Sequence, residues 1–312
     1  MAPRILRRAQ VIARLRAVTE AWISAWSGDI PPHSYALLRI VLGAMGLLSL
    51  AGLTPVDMFW PLDGLSPLPS SGGPRAWIYS HALGTVTGWV MFVGLIAVFT
   101  AMTIGFLSNG AVLAGLVGLV GQDRWNHIPL SSAHQVMIVL LFCLVWADSG
   151  RVWSLDARRS SRAPGSESGR VPAWPLMLMR CQIGLIYLSS GLWKISYPMW
   201  RDGSAVHWAL SLNAFHRLPW PMPVEWAPFI ALLTWGTVLF ELLFPLLVIF
   251  RATRGPILWA GIGLHVGLWA TLELGPFSYL MIASYIAFID PEYTFKLFRF
   301  QNKPLGSLSS SA

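Results

Sequence analysis

Long apolar runs separated by short polar segments dominate the sequence. Eight runs can be delimited, at 35–53, 87–106, 109–121, 132–148, 174–195, 226–250, 256–274 and 277–290. A helix needs about 20 apolar residues to cross the hydrocarbon core of a bilayer. The pattern therefore predicts an all-α polytopic membrane protein with about eight transmembrane helices and no large soluble domain. The third and eighth runs are short, which is typical of spans that are tilted or half buried in protein.

Composition supports this fold class. Of the 312 residues, 55% are hydrophobic and only 12% are charged, and the chain contains 17 tryptophans. A soluble globular domain carries about 25% charged residues, roughly twice this share. The two cysteines, Cys143 and Cys181, fall inside predicted spans and form no CxxC pair, so we expect neither a disulfide framework nor a metal site.

The positive charges are distributed unequally between the two sides of the predicted spans. With the N-terminus inside, the inner side holds fifteen Lys and Arg residues and the outer loops hold four. Because Lys and Arg accumulate in cytoplasmic loops, we expect an inner-membrane protein with both termini in the cytoplasm. The net charge of +8 does not indicate nucleic acid, since aromatic residues do not interleave with an exposed basic patch.

The same pattern divides the chain into regions. Residues 1–34 contain five arginines among apolar residues, which indicates a cytoplasmic, interfacial amphipathic segment; a basic lead to the first span explains them equally well. The transmembrane domain covers 35–295. Within it, the Ser-, Gly- and Pro-rich stretch 157–172 is predicted to be a flexible cytoplasmic loop between two four-span halves. Residues 296–312 form a polar cytoplasmic tail.

Ionisable side chains inside the spans are the first candidates for function, because charge within a membrane is costly. They are Arg39, His134, Asp148, Arg180, Lys194, Glu241, His265 and, near an outer end, Glu273. In the fifth run Arg180, Tyr187 and Lys194 are seven residues apart and share one helical face. Gly184 and Gly191 lie close to that face and admit either another helix or a flat ligand.

Each candidate also has a purely structural interpretation. Lys194 lies near a span end and can extend to the headgroups instead of facing an internal pocket, and the sequence leaves both options open. A structural ion pair between Arg180 and Glu241 is the favoured explanation of those two charges. His265 can simply bond a neighbouring helix, and His134 can be an interfacial residue. Asp148 is expected to organise a turn with Arg151.

Several ordered blocks resemble a known family. MRCQIGLIYLSSGLWKI followed by DG is similar to the central signature of vitamin K-dependent γ-glutamyl carboxylases and their bacterial relatives, the horizontally transferred transmembrane (HTTM) family. LHVGLWATLELGPFSYLMIASYIAFIDPE resembles the later signature of the family. ALLRIVLGAMGLL, WADSGRVWSLDA and FELLFPLLVIFR resemble three further blocks. The resemblance covers about residues 35–295.

The resemblance implies roles for particular residues. Lys194 falls on the lysine proposed to deprotonate reduced vitamin K, His265 on the span histidine of the family, and Glu241 on an acidic position. The histidine before the W-S-x-D block corresponds to either His127 or His134. The candidate catalytic residues are therefore Lys194, His265 and His134, and the candidate cofactor-binding residues are Tyr187, Gly191, Arg180 and Glu241, with a vitamin K-like hydroquinone as cofactor.

The implied chemistry is physically coherent. An amine in an apolar pocket loses solvation of its charged form and becomes a usable base. It can then deprotonate a hydroquinone, whose anion reacts with oxygen. The sequence departs from the carboxylases in two respects. We expect no counterpart of the large lumenal region that follows their spans and recognises a propeptide, and Trp193 replaces a second lysine beside the catalytic one.

Three functions remain open at this point. The first is a membrane enzyme, a quinol-dependent oxygenase or carboxylase with Lys194 as its base. The second is a non-catalytic scaffold or maturation partner for a small secreted peptide. The third is a transporter, although paired discontinuous helices are not evident in the two halves. Membrane lipids are expected partners, and the sequence does not define an oligomeric state.

Overall fold

The protein is described as a computed structural model covering residues 22–53, 85–125, 132–160, 169–212 and 226–301, together with 16, 17, 19, 20 and 217. Within these ranges the chain is helical almost throughout. Two short strands, β1 (Asp29–Ile30) and β2 (Val171–Pro172), pair antiparallel with Asp29 opposite Pro172. They join the segment before the first long helix to the segment before the helix that carries Lys194.

The helices follow in chain order, and a 3-10 turn (Tyr285–Phe288) extends the eleventh. They are α1 (His33–Ala51), α2 (Thr85–Ile104), α3 (Ser108–Trp125), α4 (Ser132–Val145), α5 (Leu155–Arg159), α6 (Trp174–Ile195), α7 (Pro198–Arg201), α8 (Ala205–Ser211), α9 (Ala227–Leu247), α10 (Arg251–Thr271), α11 (Phe277–Ser284) and α12 (Pro291–Gln301).

Each of the eight predicted runs coincides with a helix, so the predicted all-α membrane fold is confirmed. Among the described residues, four helical segments are long and apolar enough to cross a membrane, and three shorter ones are also apolar. The eighth run is short as expected, because α11 and its 3-10 turn span only residues 277–288. The third run is longer than predicted, since α3 covers 18 residues. That all eight helices cross the membrane stays a prediction.

The outer surface of the long helices is apolar, as a lipid-facing surface must be. Val90 and Val93 on α2, Leu232 and Leu239 on α9, and Trp259 on α10 are all more than half exposed. A helix that is apolar on every side is typical of a buried or membrane-spanning segment. The exposed apolar surface is therefore explained by contact with lipid.

Arg39 on α1 ties the first helices to the loop after α4. It is fully buried, and its guanidinium donates to the main-chain oxygens of Met102 and Thr103 near the end of α2 and to those of Ser149 and Trp153. The last carbonyls of a helix have no partner within the helix. Arg39 supplies that partner, so this intramembrane charge has a structural role.

The block WADSGRVWSLDA forms a set of local hydrogen bonds at the same end of the bundle. Asp148 pairs with Arg151, as the sequence predicted. The carboxylate of Asp156 accepts hydrogen bonds from the main-chain N–H groups of Leu107 and Ser108 and from the Ser108 hydroxyl. Burial alone raises the pKa of Asp156, but these hydrogen bonds outweigh it and hold the pKa below its usual value. Asp156 therefore caps the start of α3.

Helices α6 and α9 pack closely along the two glycines of the predicted polar face. A Cβ at Gly184 would lie 3.4 Å from Pro245, and one at Gly191 would lie 3.0 Å from Leu242. The sequence left open whether these glycines face another helix or a flat ligand, and in the structure they face the side chains of helix α9. The close contact brings the side chain of Glu241 on α9 to the level of Gly191 on α6.

The N-terminal part of α9 extends beyond the end of α6 and is covered by α7 and α8. The N–H of Val206 donates to the hydroxyl of Thr234 on α9. Gly203, in the DG pair between the two short helices, has a φ of +85° and lies against Ala231. Glycine adopts this backbone conformation without strain. The DG pair thus turns the chain back over α9.

Several regions predicted from sequence lie wholly or partly outside the described residues. They include most of the N-terminal segment, His127, the centre of the loop 157–172 and the end of the tail 296–312. The edges of the loop are regular: residues 157–159 belong to α5, and 171–172 form β2.

The predicted orientation can be tested by cysteine labelling at two described positions. With Cys143 and Cys181 replaced, single cysteines at Ser160 and Leu210 are placed on opposite sides of the bundle by the fifteen-to-four charge count. We expect an impermeant thiol reagent applied from outside to label position 210 and spare position 160. Strong labelling at 160 with none at 210 would invert the topology.

Candidate functional site

Lys194 and Glu241 form an ion pair between α6 and α9. The Nζ of Lys194 donates to both carboxylate oxygens of Glu241 at 2.7 Å and to the hydroxyl of Ser190 at 2.6 Å. Their side chains are only 19% and 10% exposed, respectively. An ammonium has three N–H donors, and all three are used here. The ring of Trp200 lies 5.1 Å from the same nitrogen and adds a cation–π contact.

The location of this pair favours an internal role for Lys194 over an anchor in the headgroups. Glu241 lies 14 residues after Ala227, the first residue of α9, which corresponds to about 21 Å along the helix axis. Helices α7 and α8 cover the part of α9 beyond the end of α6. Lys194 is therefore close to the end of its own helix, but its side chain is mostly buried against Glu241 of α9 and Trp200 of α7.

The predicted ion pair between Arg180 and Glu241 is wrong. Arg180 donates to the main-chain oxygens of Ala287 and Ile289, beyond the end of α11, while Glu241 bonds Lys194. The prediction assumed that α6 and α9 cross the membrane at matching depths. The contacts at Gly184 and Gly191 instead offset α9 along α6, so the carboxylate of Glu241 meets the C-terminal end of α6.

A second polar network lies deeper in the bundle and consists of Tyr187, His265 and Tyr285. The hydroxyl of Tyr187 is 2.7 Å from Nε2 of His265 and 2.5 Å from the hydroxyl of Tyr285. His265 is 2% exposed, and its other ring nitrogen, Nδ1, has no hydrogen-bond partner among the described residues. A buried polar atom without a partner is rare in native proteins, so this nitrogen is a candidate ligand contact.

Helix α6 contributes one residue to each network, Lys194 to the first and Tyr187 to the second. Tyr187 lies two helical turns, about 10 Å, before Lys194 on α6. Its ring contacts Phe240 and Phe244, the first of which adjoins Glu241 in α9. Tyr187 and Lys194 therefore both contact α9, but they belong to separate polar groups with aromatic side chains between them.

Gly261 makes room for the second network. A methyl group at position 261 would overlap the hydroxyl of Tyr285 and lie 2.8 Å from its ring carbon Cζ and 3.0 Å from Phe240. We expect Gly261→Ala to lower the free energy of unfolding by about 1–3 kcal/mol, the usual cost of overpacking. Thermal unfolding in detergent measures this.

Gly263→Ala is the matched control in the same helix, because nothing lies within 4 Å of its added carbon. It should leave stability unchanged or slightly higher, since alanine favours helix over glycine. Equal effects of the two substitutions would show that Tyr285 does not occupy this notch.

The remaining candidates lie apart from the ion pair. His134 is buried in the first turn of α4 and belongs to neither network as defined above. Arg180 bonds main-chain oxygens at the opposite end of α6. Gly191 contacts Leu242 and Glu241 of α9. Within the described ranges, no group of three His, Cys, Asp or Glu side chains is placed to hold a metal ion.

Sequence reasoning missed three members of the site: Ser190, Trp200 and Tyr285. Ser190 could have been found, because it lies four residues before Lys194 and therefore on the same helical face. Trp200 reaches Lys194 only because α7 turns back, and Tyr285 reaches Tyr187 only through Gly261. Neither contact leaves a periodic signal in the sequence.

Comparison with known proteins places the chain in a family. Residues 76–293, more than two thirds of the chain, match the family described as "HTTM domain". A relative in Bacillus subtilis (strain 168), the "Uncharacterized protein YitO", is 24% identical over 290 residues, which cover 86% of this chain and 89% of the relative. No solved structure matches. With its apolar helices and this match, the chain is a multi-pass membrane protein that belongs to the HTTM family.

Proposed function

We propose that the Lys194–Glu241 pair is a proton-transfer site that acts on a lipid-soluble hydroquinone. One observation carries the proposal: a lysine and a glutamate meet at 2.7 Å inside an apolar helix bundle, with side chains 19% and 10% exposed. Because this chain is built to cross a membrane, such a pair is a functional hypothesis by default.

Energetics argue against stability as the reason for the pair. Removing two charges from water costs several kcal/mol for each ion, and the attraction between them repays this only in part. Apolar side chains of similar volume often stabilise such a position as well or better. The helices α6 and α9 already pack through Gly184 and Gly191. The ion pair is therefore better explained by chemistry than by packing.

The pair can exchange protons without a change in its net charge. When a proton moves from Nζ of Lys194 to Glu241, the amine becomes neutral and its lone pair becomes available. Nζ then accepts the hydroxyl proton of the substrate, while Glu241 holds the proton it received. A base must lie within hydrogen-bonding distance of the proton it removes, and the exposed fraction of Lys194 permits this approach.

The surroundings fit an aromatic diol. The ring of Trp200 lies against the amine of Lys194, and the neighbouring residues Trp193 and Tyr197 are exposed. The flat ring of a bound hydroquinone would therefore meet aromatic side chains near the amine. A bound hydroquinone would supply an acidic hydroxyl and, once ionised, electrons for oxygen. Nδ1 of His265, which has no hydrogen-bond partner in the part of the chain that the structure describes, offers one further polar contact in the bundle. The hydroxyl of Tyr187, which also bonds the hydroxyl of Tyr285, holds the ring of His265 through Nε2.

Turnover in proteoliposomes tests the proposal. Purified protein is reconstituted with a reduced menaquinone, and loss of hydroquinone and uptake of oxygen are measured together. We expect both rates to exceed those of protein-free liposomes. A Lys194→Met/Glu241→Leu double variant, which removes both charges at once, should insert and fold but show the protein-free rate. A wild type that is indistinguishable from empty liposomes would overturn the proposal and favour the non-catalytic scaffold.

A further inference from the structure

A cluster of three arginines lies at the end of α6 opposite to Lys194. Arg180 is in the second turn of α6, and Arg251 and Arg254 are in the first turn of α10. Asp290, just before α12, is the acidic residue that interacts with both Arg180 and Arg254. By the predicted topology this end of the bundle faces the cytoplasm. The proton-transfer site does not involve it.

Two of the guanidinium groups are held in place by the main chain. Arg180 donates from Nε to Ala287 at 2.7 Å, and Arg254 donates from Nε and Nη2 to Val248 and Ile249 at 3.0 and 3.1 Å. Neutral carbonyl oxygens orient these groups but do not cancel their charge. The positions of the charges are therefore fixed before any ligand arrives.

The cluster carries an excess of positive charge. Arg180 and Arg254 repel each other, and so do Arg254 and Arg251. Asp290 is the counter-charge, but within the described residues no carboxylate forms an ion pair with any of the three arginines. One acid against three bases leaves a net charge of about +2 at the surface, which an anion would neutralise.

Exposed apolar side chains surround the cluster. Leu246, Ile249 and Phe250, from the end of α9 and the link to α10, are more than half exposed, and Ile289 is partly exposed. A soluble anion would gain nothing from contact with these apolar side chains. An amphiphile would, because its charged headgroup can bind the guanidinium groups while its acyl chains lie along the apolar residues.

We infer that this cluster binds the phosphate headgroup of an anionic phospholipid from the adjacent leaflet. Arg180, Arg251 and Arg254 contact the phosphate, and Leu246, Ile249, Phe250 and Ile289 contact the acyl chains. Arginine suits this role because its planar guanidinium group can donate two parallel hydrogen bonds to the oxygens of a phosphate. The bound lipid therefore joins α6, the end of α9, the start of α10 and the segment before α12.

Lipid titration of the purified protein in detergent tests the inference. Phosphatidylglycerol, phosphatidylcholine and potassium phosphate are added separately, and the unfolding temperature is followed to saturation. We expect phosphatidylglycerol to raise the unfolding temperature at concentrations where the other two do nothing. Each arginine near an anionic headgroup is worth about five-fold in affinity, so Arg251→Gln and Arg254→Gln should each raise the half-saturating concentration about five-fold.

Two further variants sharpen the test. Asp290→Asn keeps the acceptor that caps Glu292 but removes the opposing charge, and should tighten binding by a similar factor. Arg201→Gln, at the other end of the bundle, should change nothing. The side chain of Arg251 makes no hydrogen bond among the described residues, so its variant stays informative even if Arg254→Gln does not fold. Equal stabilisation by phosphatidylcholine or phosphate, or unchanged affinity in Arg251→Gln, would overturn the inference.

Discussion

A Glu241→Gln variant is expected to unfold with a free energy about 3–5 kcal/mol lower than that of the wild type. The substitution keeps the size of the side chain but leaves the ammonium of Lys194 buried without a counter-charge. Removing one partner of a buried ion pair typically costs this much. Thermal or denaturant unfolding of the detergent-solubilised protein measures the loss.

The partner can be identified by a double-mutant cycle, which separates a pair energy from the effects of its single members. Combining Glu241→Leu with Lys194→Met should cost less than the sum of the two single substitutions. Combining Glu241→Leu with Arg180→Gln should be additive, because Arg180 bonds Ala287 at the other end of α6. Coupling to Arg180 and none to Lys194 would restore the pairing that the sequence had suggested.

The second large effect is expected for Lys194→Arg. Arginine keeps the positive charge and can still pair with Glu241, so the variant should insert, fold and remain thermally stable. A guanidinium cannot become neutral inside a protein at ordinary pH, so it cannot act as a base. We expect hydroquinone-dependent oxygen uptake to fall by about 10²-fold or more, the usual contribution of a general base.

This substitution also distinguishes the base from an anchor. A snorkelling residue needs only a positive charge on a flexible stem, and arginine supplies both. Normal activity in a folded Lys194→Arg variant would therefore show that Lys194 does not exchange its proton. Arg201→Gln serves as the control for nonspecific effects of altering a cation near the same turn.

The positions of the helices could be predicted because apolar patterning is local. Runs such as 35–53 and 174–195 coincide with α1 and α6 to within two residues. The turn at Asp148 was predictable for the same reason, since its partner Arg151 lies three residues away. A residue pattern reports which face is apolar and where a helix ends, but it does not report how two helices are offset.

The offset between α6 and α9 explains why the partner of Glu241 could not be predicted from the sequence. The assumption that α6 and α9 lie at equal depths in the membrane placed Glu241 beside Arg180. The contact of Gly191 with Leu242 instead places Glu241 beside Lys194. Tyr285 was missed for a related reason: its hydroxyl reaches Tyr187 only where Gly261 leaves space. Both contacts depend on the absence of a side chain on a neighbouring helix.

Infrared difference spectroscopy at Glu241 tests the central claim most directly. In the proposed transfer, Glu241 takes the lysine proton when Nζ accepts one from the hydroquinone. Adding the hydroquinone to reconstituted wild type under anaerobic conditions should therefore produce the stretching band of a protonated carboxylic acid. The band should be absent from Glu241→Gln and from Lys194→Arg. Hydroquinone oxidation by the wild type with no such band, or with a band that persists in Glu241→Gln, would contradict a proton-transfer role for this pair.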